Sequence, residues 1–352
     1  MENITLTKKI LSIIRNLLNS FRRIVISDPL VQKKISVYFH NILAICDFKK
    51  NYEEELFNYK KIIAGRQNFW TNEYDYGNTY YGNAYILKSY SGYKKKIKAC
   101  IEHGLYFGDT VFHFEAIDSG LGGLITYGDS RVKHLQGIAR VPVIPIGPYI
   151  HYAEPLLDEK QISEIKRKNG KTLLVFPTHS IDRVETEYNM ASFCDEIDRV
   201  VEKMNIQKVI VCLFYKDINI GRDQYYIEKG YQVVCNGYRC DPLFLRRLKT
   251  FILISDYTMS NDVGTNVGYC IYLGKPHYIF SQEVSYNAYT NVDMENIMHS
   301  DSVELEMREV REAFSELSSE ITIQQKTICN KYWGGDYIKT KEELYEVLRS
   351  FE

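Results

Sequence analysis

Hydrophobic and polar positions alternate most regularly in the second half of the chain. Residues 172–176, 208–214 and 232–235 are short apolar runs bounded by turn residues, and they read as strands. Between them, Met190, Phe193, Ile197, Val200, Val201 and Met204 recur at helical spacing over residues 189–204. Asp241-Pro242 is a helix start signal and predicts a helix through Leu248. Phe251-Ile252-Leu253-Ile254 then reads as a further buried strand. A polar loop follows it, and Gly264-Thr265-Asn266 opens a helix that Gly274-Lys275-Pro276 stops. Residues 277–280 are the next apolar run, 303–317 and 321–332 read as helices, and Thr340 with Glu343 makes a capping box for a last helix. Strands alternating with helices predict an α/β fold with a parallel sheet covered on both faces. In such folds ligands sit off the carboxyl ends of the strands, against helix N-termini.

The first half is less regular. Residues 4–26 place Ile10, Ile14, Leu17, Phe21 and Ile24 on one side, with Lys8, Arg15 and Arg22 every seven residues on another. This predicts an amphipathic basic helix, too short in apolar length to span a bilayer. It either lies on an anionic membrane surface or docks on its own domain. A second helix is expected over 52–63. Residues 64–93 are dense in Gly, Asn and Tyr, with turns expected at Asn78 and Asn83. That segment suits an acceptor sugar and equally an irregular packed region. Pro142, Pro145, Pro148 and Pro155 mark residues 142–155 as an extended interdomain segment. The expected division is an acceptor-side domain at 1–155, a donor-binding domain at 156–335, and a C-terminal helix at 336–352 that packs back on the first domain.

Composition changes this picture little. The 352 residues suffice for two domains, and 44 basic against 45 acidic residues give nothing in bulk that calls for nucleic acid. Tyrosine is abundant at 29 residues, which suits sugar rings, half-buried surfaces and an AT-rich genome alike. The eight cysteines have no zinc-site spacing, and the N-terminus has no signal-peptide pattern, so a reducing cytoplasmic setting is expected.

Two polar clusters follow strands. Thr178, His179 and Ser180 come directly after 172–176, and Asp256, Gly264, Thr265 and Asn266 follow 251–254. Backbone amides at a helix start, with a histidine beside them, suit a phosphate. In the first half, Glu102-His103-Gly104 offers a histidine that titrates near neutrality, fit for a general base. There is no phosphate-loop motif, no dinucleotide fingerprint and no Asp-x-Asp pair, so a metal-independent site without a cofactor is expected.

Taken in order, Glu102-His103-Gly104, Ile146–Tyr152, Phe176–Ser180, Asp241–Leu245, Ser255-Asp256 and Gly264–Pro276 resemble bacterial capsule and O-antigen glycosyltransferases of the GT-B fold. They are more distantly similar to CDP-glycerol glycerophosphotransferases. The resemblance implies two Rossmann-like domains facing a cleft, and transfer of a sugar from a nucleotide-sugar donor to a glycan or lipid-linked acceptor in surface polysaccharide synthesis. It implies His103 as catalytic base with Glu102 beside it, and Thr178, His179, Ser180, Asp256, Gly264, Thr265 and Asn266 on the donor. It also implies a cytoplasmic enzyme, peripheral on the inner face of the membrane through residues 4–26. A polyol-phosphate transferase, a nucleotide-sugar 2-epimerase and a non-catalytic nucleotide-sugar-binding protein are the alternatives. Ser180 stands where the phosphotransferase pattern has Pro, and the donor helix lacks an acid for the ribose.

Overall fold

The computed structural model describes residues 26–50, 55–117, 119–181, 184–288 and 300–352. The amphipathic helix expected over 4–26 lies outside them. Strands β1 (Cys100–Ile101), β2 (Leu124–Thr126) and β3 (Val143–Pro145) form a small parallel sheet in that order. In the second half, β4 (Thr172–Phe176), β6 (Lys208–Leu213), β7 (Gln232–Cys235), β8 (Tyr257–Ser260) and β9 (His277–Ile279) form a larger parallel sheet. Its order is β7-β6-β4-β8-β9. A ribbon of β5 (Val184–Glu187) and β10 (Ser285–Ala288) pairs antiparallel beside it.

The larger sheet is covered on both faces, and the strand sequences show why. Leu174, Ile210 and Val234 point into one apolar cluster with Leu248, Phe251 and Val267. Their neighbours Leu173, Val175, Val209, Val211 and Val233 point into the other, against Phe193, Ile197 and Val200 of the helix Met190–Met204. A period of two that is apolar on both phases is what a strand buried on both faces requires. The order in which strands are added reverses between β4 and β8, which leaves a crevice at their carboxyl ends.

Several expected elements form differently. Residues 251–254 are not a strand: the helix beginning at Phe244 continues to Ile254, and the strand is Tyr257–Ser260. Phe251, Ile252 and Ile254 extend the buried helical stripe of Phe244, Leu245 and Leu248, so the apolar run was the end of a 3.6-residue period. Residues 142–155 are no exposed linker. They supply β3 and a 3₁₀ turn, Tyr149–Tyr152, whose Tyr149 and Ile150 are fully buried. The described part of 52–63 is helical only within Tyr59–Ala64. A long helix, Pro29–Ile45, was not anticipated although Asp28-Pro29 carries the same start signal as Asp241-Pro242. Asp28 Oδ1 accepts from Leu30 N at 2.8 Å. The last helix, Lys341–Ser350, has its capping box and packs on the helix Asn83–Ser91, and Glu352 bonds the Tyr93 hydroxyl.

β8 is an unusually polar interior strand. Thr258 and Ser260 are buried, and both face His277 of β9: Thr258 Oγ1 lies 2.8 Å from Nδ1 and Ser260 Oγ 3.0 Å from Nε2. Burial pushes the His277 imidazole down to about 3. The folded chain therefore keeps it neutral while an unfolded chain protonates it below about pH 6.5. Its contribution is fully present above that pH and is lost as pH falls toward 3. The native protein should lose up to ~1.4 kcal/mol of stability per pH unit from this group. Urea midpoints at pH 7 and pH 5 should diverge more for the native chain than for His277→Asn, and equal slopes would remove His277 from the account.

Candidate functional site

A cavity of about 290 Å³ opens where the carboxyl ends of β4 and β8 face the first half of the chain. One wall is the Pro177-Thr178-His179 loop after β4. Beside it, Gly264, Thr265 and Asn266 begin the helix Thr265–Tyr272. Across from them stand His103 and Gly104, which follow β1. Three separated stretches that carried chemistry in the sequence thus meet in one cleft.

The sheet register brings the two loops that follow β4 and β8 together. Phe176 of β4 pairs with Ser260 of β8, so the residues that follow them emerge side by side. Asn261, fully buried, locks them: its Oδ1 accepts from Thr178 N at 2.7 Å and from Thr178 Oγ1 at 2.9 Å. The helix Thr265–Tyr272 is held from behind by Trp333, whose Nε1 donates to Thr265 O at 2.8 Å. Trp333 lies flat where a side chain on Gly268 would be, so only glycine allows this approach. The first half of the chain is tied to the same helix by Leu105 N, which donates to Thr265 Oγ1 at 3.1 Å.

His103 is partly exposed to the cleft and carries a buried carboxylate behind it. Its Nδ1 lies 3.1 Å from Glu115 Oε1, and the Tyr106 hydroxyl sits 3.0 Å from Nδ1 and 3.1 Å from Nε2. Tyr80 packs edge-on against the ring, with centroids 5.1 Å apart. Burial raises the Glu115 carboxyl above its ordinary range, and His103 pulls against that shift. Its second oxygen, Oε2, is buried without a partner, so His103 is the principal group Glu115 serves. With ionised Glu115 accepting from Nδ1–H, the lone pair resides on Nε2.

Glu102 does something else. It is buried beneath the loop and accepts from Arg131 Nη2 at 2.6 Å and from Arg131 Nε at 3.3 Å, with Thr126 Oγ1 at 2.5 Å. Arg131 also donates to the carbonyls of Gly108 and Thr110, so the pair staples the loop that carries His103. The acid next to His103 in sequence is structural, and the acid twelve residues away is its partner.

Two donor-side candidates also lie outside the cleft. Ser180 is buried and turned away: its Oγ donates to Asp217 Oδ1 at 2.9 Å, and Arg222 Nη1 meets the same oxygen at 2.8 Å. Asp256 sits at the amino end of β8, where its Oδ2 accepts from Thr172 N at 2.9 Å and its other oxygen pairs with Lys166. Since Tyr257 pairs with Leu173, Asp256 is about four residues, or ~13 Å, from the carboxyl edge. The acid that does line the cleft is Asp262, held by Arg311 Nε at 3.0 Å.

Sequence reasoning missed part of the wall. Asn83 and Asn236 both line the cleft and are 1% and 7% exposed. Asn83 Nδ2, Asn236 Oδ1 and Asn266 Nδ2 are buried without partners, three unspent amide groups around one cavity. Asn83 is aimed by the turn before it. Gly82 adopts φ +79°, and a Cβ there would sit 2.6 Å from Pro242 O, so glycine lets this turn press on the opposite half. Tyr81, in the left-handed region at φ 57°, donates its N–H to Arg239 O and packs its ring, tilted, against Phe244 with centroids 4.8 Å apart. Such backbone strain costs about 1–3 kcal/mol and gathers at ligand sites.

His179 is open to solvent at the cleft mouth but ringed by protein, with Phe214 at 4.6 Å. That crowding pushes its imidazole below the ordinary range. Asp217 opposes the shift, while Arg239 and Lys216 reinforce it. This wall of the cleft therefore combines a histidine, nearby cations and a helix N-terminus.

No family model and no curated protein matches the chain. Among solved structures it is similar to a form of the wall teichoic acid polymerase TagF soaked with CDPG, at 11% identity and a TM-score of 0.39. It is also similar to TagF itself, at 13% and 0.37; each likeness covers 66% of this chain and 58% of that one. The UDP-GlcNAc 2-epimerase from Neisseria meningitidis bound to UDP-GlcNAc is similar at 12% identity and a TM-score of 0.35, covering 66% of this chain and 60% of the epimerase. The chain thus spans less than two thirds of the length of these structures.

Removing one member of the buried pair leaves an uncompensated charge, so Arg131→Met should cost about 3–5 kcal/mol by chemical denaturation. Glu115→Gln, which keeps the shape and leaves no unpaired cation, should cost far less. Equal losses would contradict the division of roles between Glu102 and Glu115.

Proposed function

We propose that the chain is a glycosyltransferase of the GT-B type, which moves a sugar from a nucleotide-linked donor to a hydroxyl of a glycan or lipid-linked acceptor. The observation that carries this reading is the His103–Glu115 pair facing the Gly264–Asn266 helix start across one cavity. A general base and an anion-binding helix terminus on opposite walls are what such a transfer needs.

In this reading His103 Nε2 takes the proton of the acceptor hydroxyl, and Glu115 stabilises the imidazolium that forms. The acceptor oxygen bonds to the anomeric carbon as the bond from that carbon to the diphosphate breaks. The leaving nucleotide carries its charge onto the free amides at Gly264–Asn266 and onto His179 with the cations near it. Amides and cations supply the charge stabilisation, so activity is expected to persist in EDTA. The cleft's aromatic floor of Tyr81, Phe244 and Phe214 offers faces to a base or sugar. The enzyme class, acceptor and surface-polysaccharide setting come from the motif resemblance, and a role at a membrane surface is part of the same proposal. Among the described residues no helix is long and apolar enough to cross a membrane.

Thermal shift against UDP-, GDP-, CMP- and CDP-linked compounds tests the donor site. Stabilisation by a nucleotide sugar is expected, and no shift with any compound would sink the assignment. His103→Ala should leave that shift unchanged and lower turnover by about 10²–10⁴-fold. Donor consumption without an acceptor would instead favour an epimerase, and a response confined to CDP-glycerol a polyol-phosphate transferase.

The low pKa of His179 gives a second test. Neutral in the free protein, it should take up a proton when a diphosphate binds, so nucleotide affinity should rise as pH falls through neutrality. Calorimetry in buffers of different ionisation enthalpy reads this uptake directly. It should vanish in His179→Asn, and its persistence there would remove His179 from the phosphate site.

A further inference from the structure

A second concavity, of about 440 Å³, lies in the first half of the chain beside the cleft. Trp70, Asn72, Thr79, Tyr85, Lys88 and Ser89 line it. Trp70 is 60% exposed and Tyr85 51%, whereas the chain's other tryptophan, Trp333, is 1% exposed. Leaving two large rings in water forgoes burial worth about 25 cal/mol for each Å² of apolar surface. Their gathering in one concavity among amide, hydroxyl and ammonium groups calls for a ligand rather than a packing explanation.

We propose that this groove docks the sugar residues of an extended glycan acceptor, beyond the residue whose hydroxyl reacts. The proposal rests on the reading that the cleft transfers a sugar to a glycan. Aromatic faces match the C–H faces of pyranose rings, and Asn72, Ser89 and Thr79 match their hydroxyls. The groove adjoins the cleft across one turn of chain. Gly82 and Pro242 border the groove, while Tyr81 and Asn83, on either side of Gly82, line the cleft. A chain that leaves the reacting position over this turn enters the groove at once.

The floor is also fixed in advance. Glu73 is buried and accepts from Lys88 Nζ at 2.7 Å and from Ile97 N at 2.8 Å, which sets Lys88 at the rim. The turn at Gly82 is pressed against Pro242 O with no room for a side chain. A preorganised lining limits the ordering cost of a weakly held, repetitive ligand. Amide, hydroxyl and ammonium groups line the groove together with the two exposed rings, and that mixture of aromatic faces and hydrogen-bonding groups suits a glycan.

Tryptophan emission reads the groove, because Trp70 is the solvent-facing one of two tryptophans. Chitohexaose, cellohexaose and an oligomer of glycerol phosphate serve as probes, alongside the nucleotide thermal shift. At least one of the two sugar oligomers is expected to change the emission of the native chain, with affinity about 3–10-fold weaker in Tyr85→Ala, and a response confined to the glycerol phosphate oligomer overturns the proposal. Both Tyr85→Ala and Trp70→Ala should keep the nucleotide shift, which shows that they fold and that the cleft is intact. An unchanged emission with both sugar oligomers, or equal affinity in Tyr85→Ala, overturns the groove while nucleotide binding leaves the cleft reading standing. Loss of nucleotide binding in the native chain overturns the cleft reading, and glycan binding that survives it keeps the groove as a glycan site.

Discussion

The pairing of β4 with β8 is the constraint on which the rest of the candidate site depends. Their neighbouring position in a parallel sheet, at the point where strand order reverses, forces two loops to leave the same edge in the same direction. Asn261 then turns proximity into a fixed geometry by accepting twice from Thr178. Everything else is registered to that edge. Trp333 presses the helix Thr265–Tyr272 into place through the gap at Gly268, and Leu105 N hangs the first half of the chain on Thr265. His103 is thereby set opposite the helix start by one short covalent path, two residues from Leu105.

Polar residues near this edge divide into those consumed by the fold and those left for a ligand. Glu102, Ser180 and Asp256 each satisfy a neighbouring backbone or charged group, and each is turned from the cavity. Asn83, Asn236 and Asn266 keep an amide atom buried without a partner. A buried polar group without a hydrogen bond costs about 1–3 kcal/mol, so three around one cavity are a standing debt that a polar ligand would cancel. The same contrast separates Glu115 from Glu102: one has an idle oxygen behind a cleft histidine, the other has both oxygens occupied.

How much of this was legible in the sequence follows from which physical signals are local. The strands 172–176 and 232–235 were legible because double burial writes itself as continuous β-branched and apolar runs. Gly264-Thr265-Asn266 and His103-Gly104 were legible as chemistry beside a predicted strand end. β8 was not, because Thr258 and Ser260 hide an interior strand behind polar letters that only His277, seventeen to nineteen residues away, makes tolerable. The apolar run 251–254 drew the strand assignment in its place, and Asp256 with it. Adjacency also misled at Glu102, since successive residues at a strand end point to opposite sides while Glu115 reaches His103 from another turn of chain.

Tyrosine shows why composition alone carries so little weight here. Tyr127 and Tyr149 stack at 4.3 Å in the core, and Tyr127 bonds the Tyr269 hydroxyl at 2.9 Å, with burial raising all three phenols above their ordinary range. These rings serve as large core side chains whose polar ends are satisfied inside the protein, Tyr149 by donating to Ile125 O at 3.2 Å. Tyr81 and Tyr85, four residues apart, are the informative ones: one is strained into the cleft wall, the other stands in water in the adjoining groove. The turn between them, pinned by Gly82 against Pro242, gives the cleft and the groove a common wall, so a ligand spanning both would meet a single rigid surface.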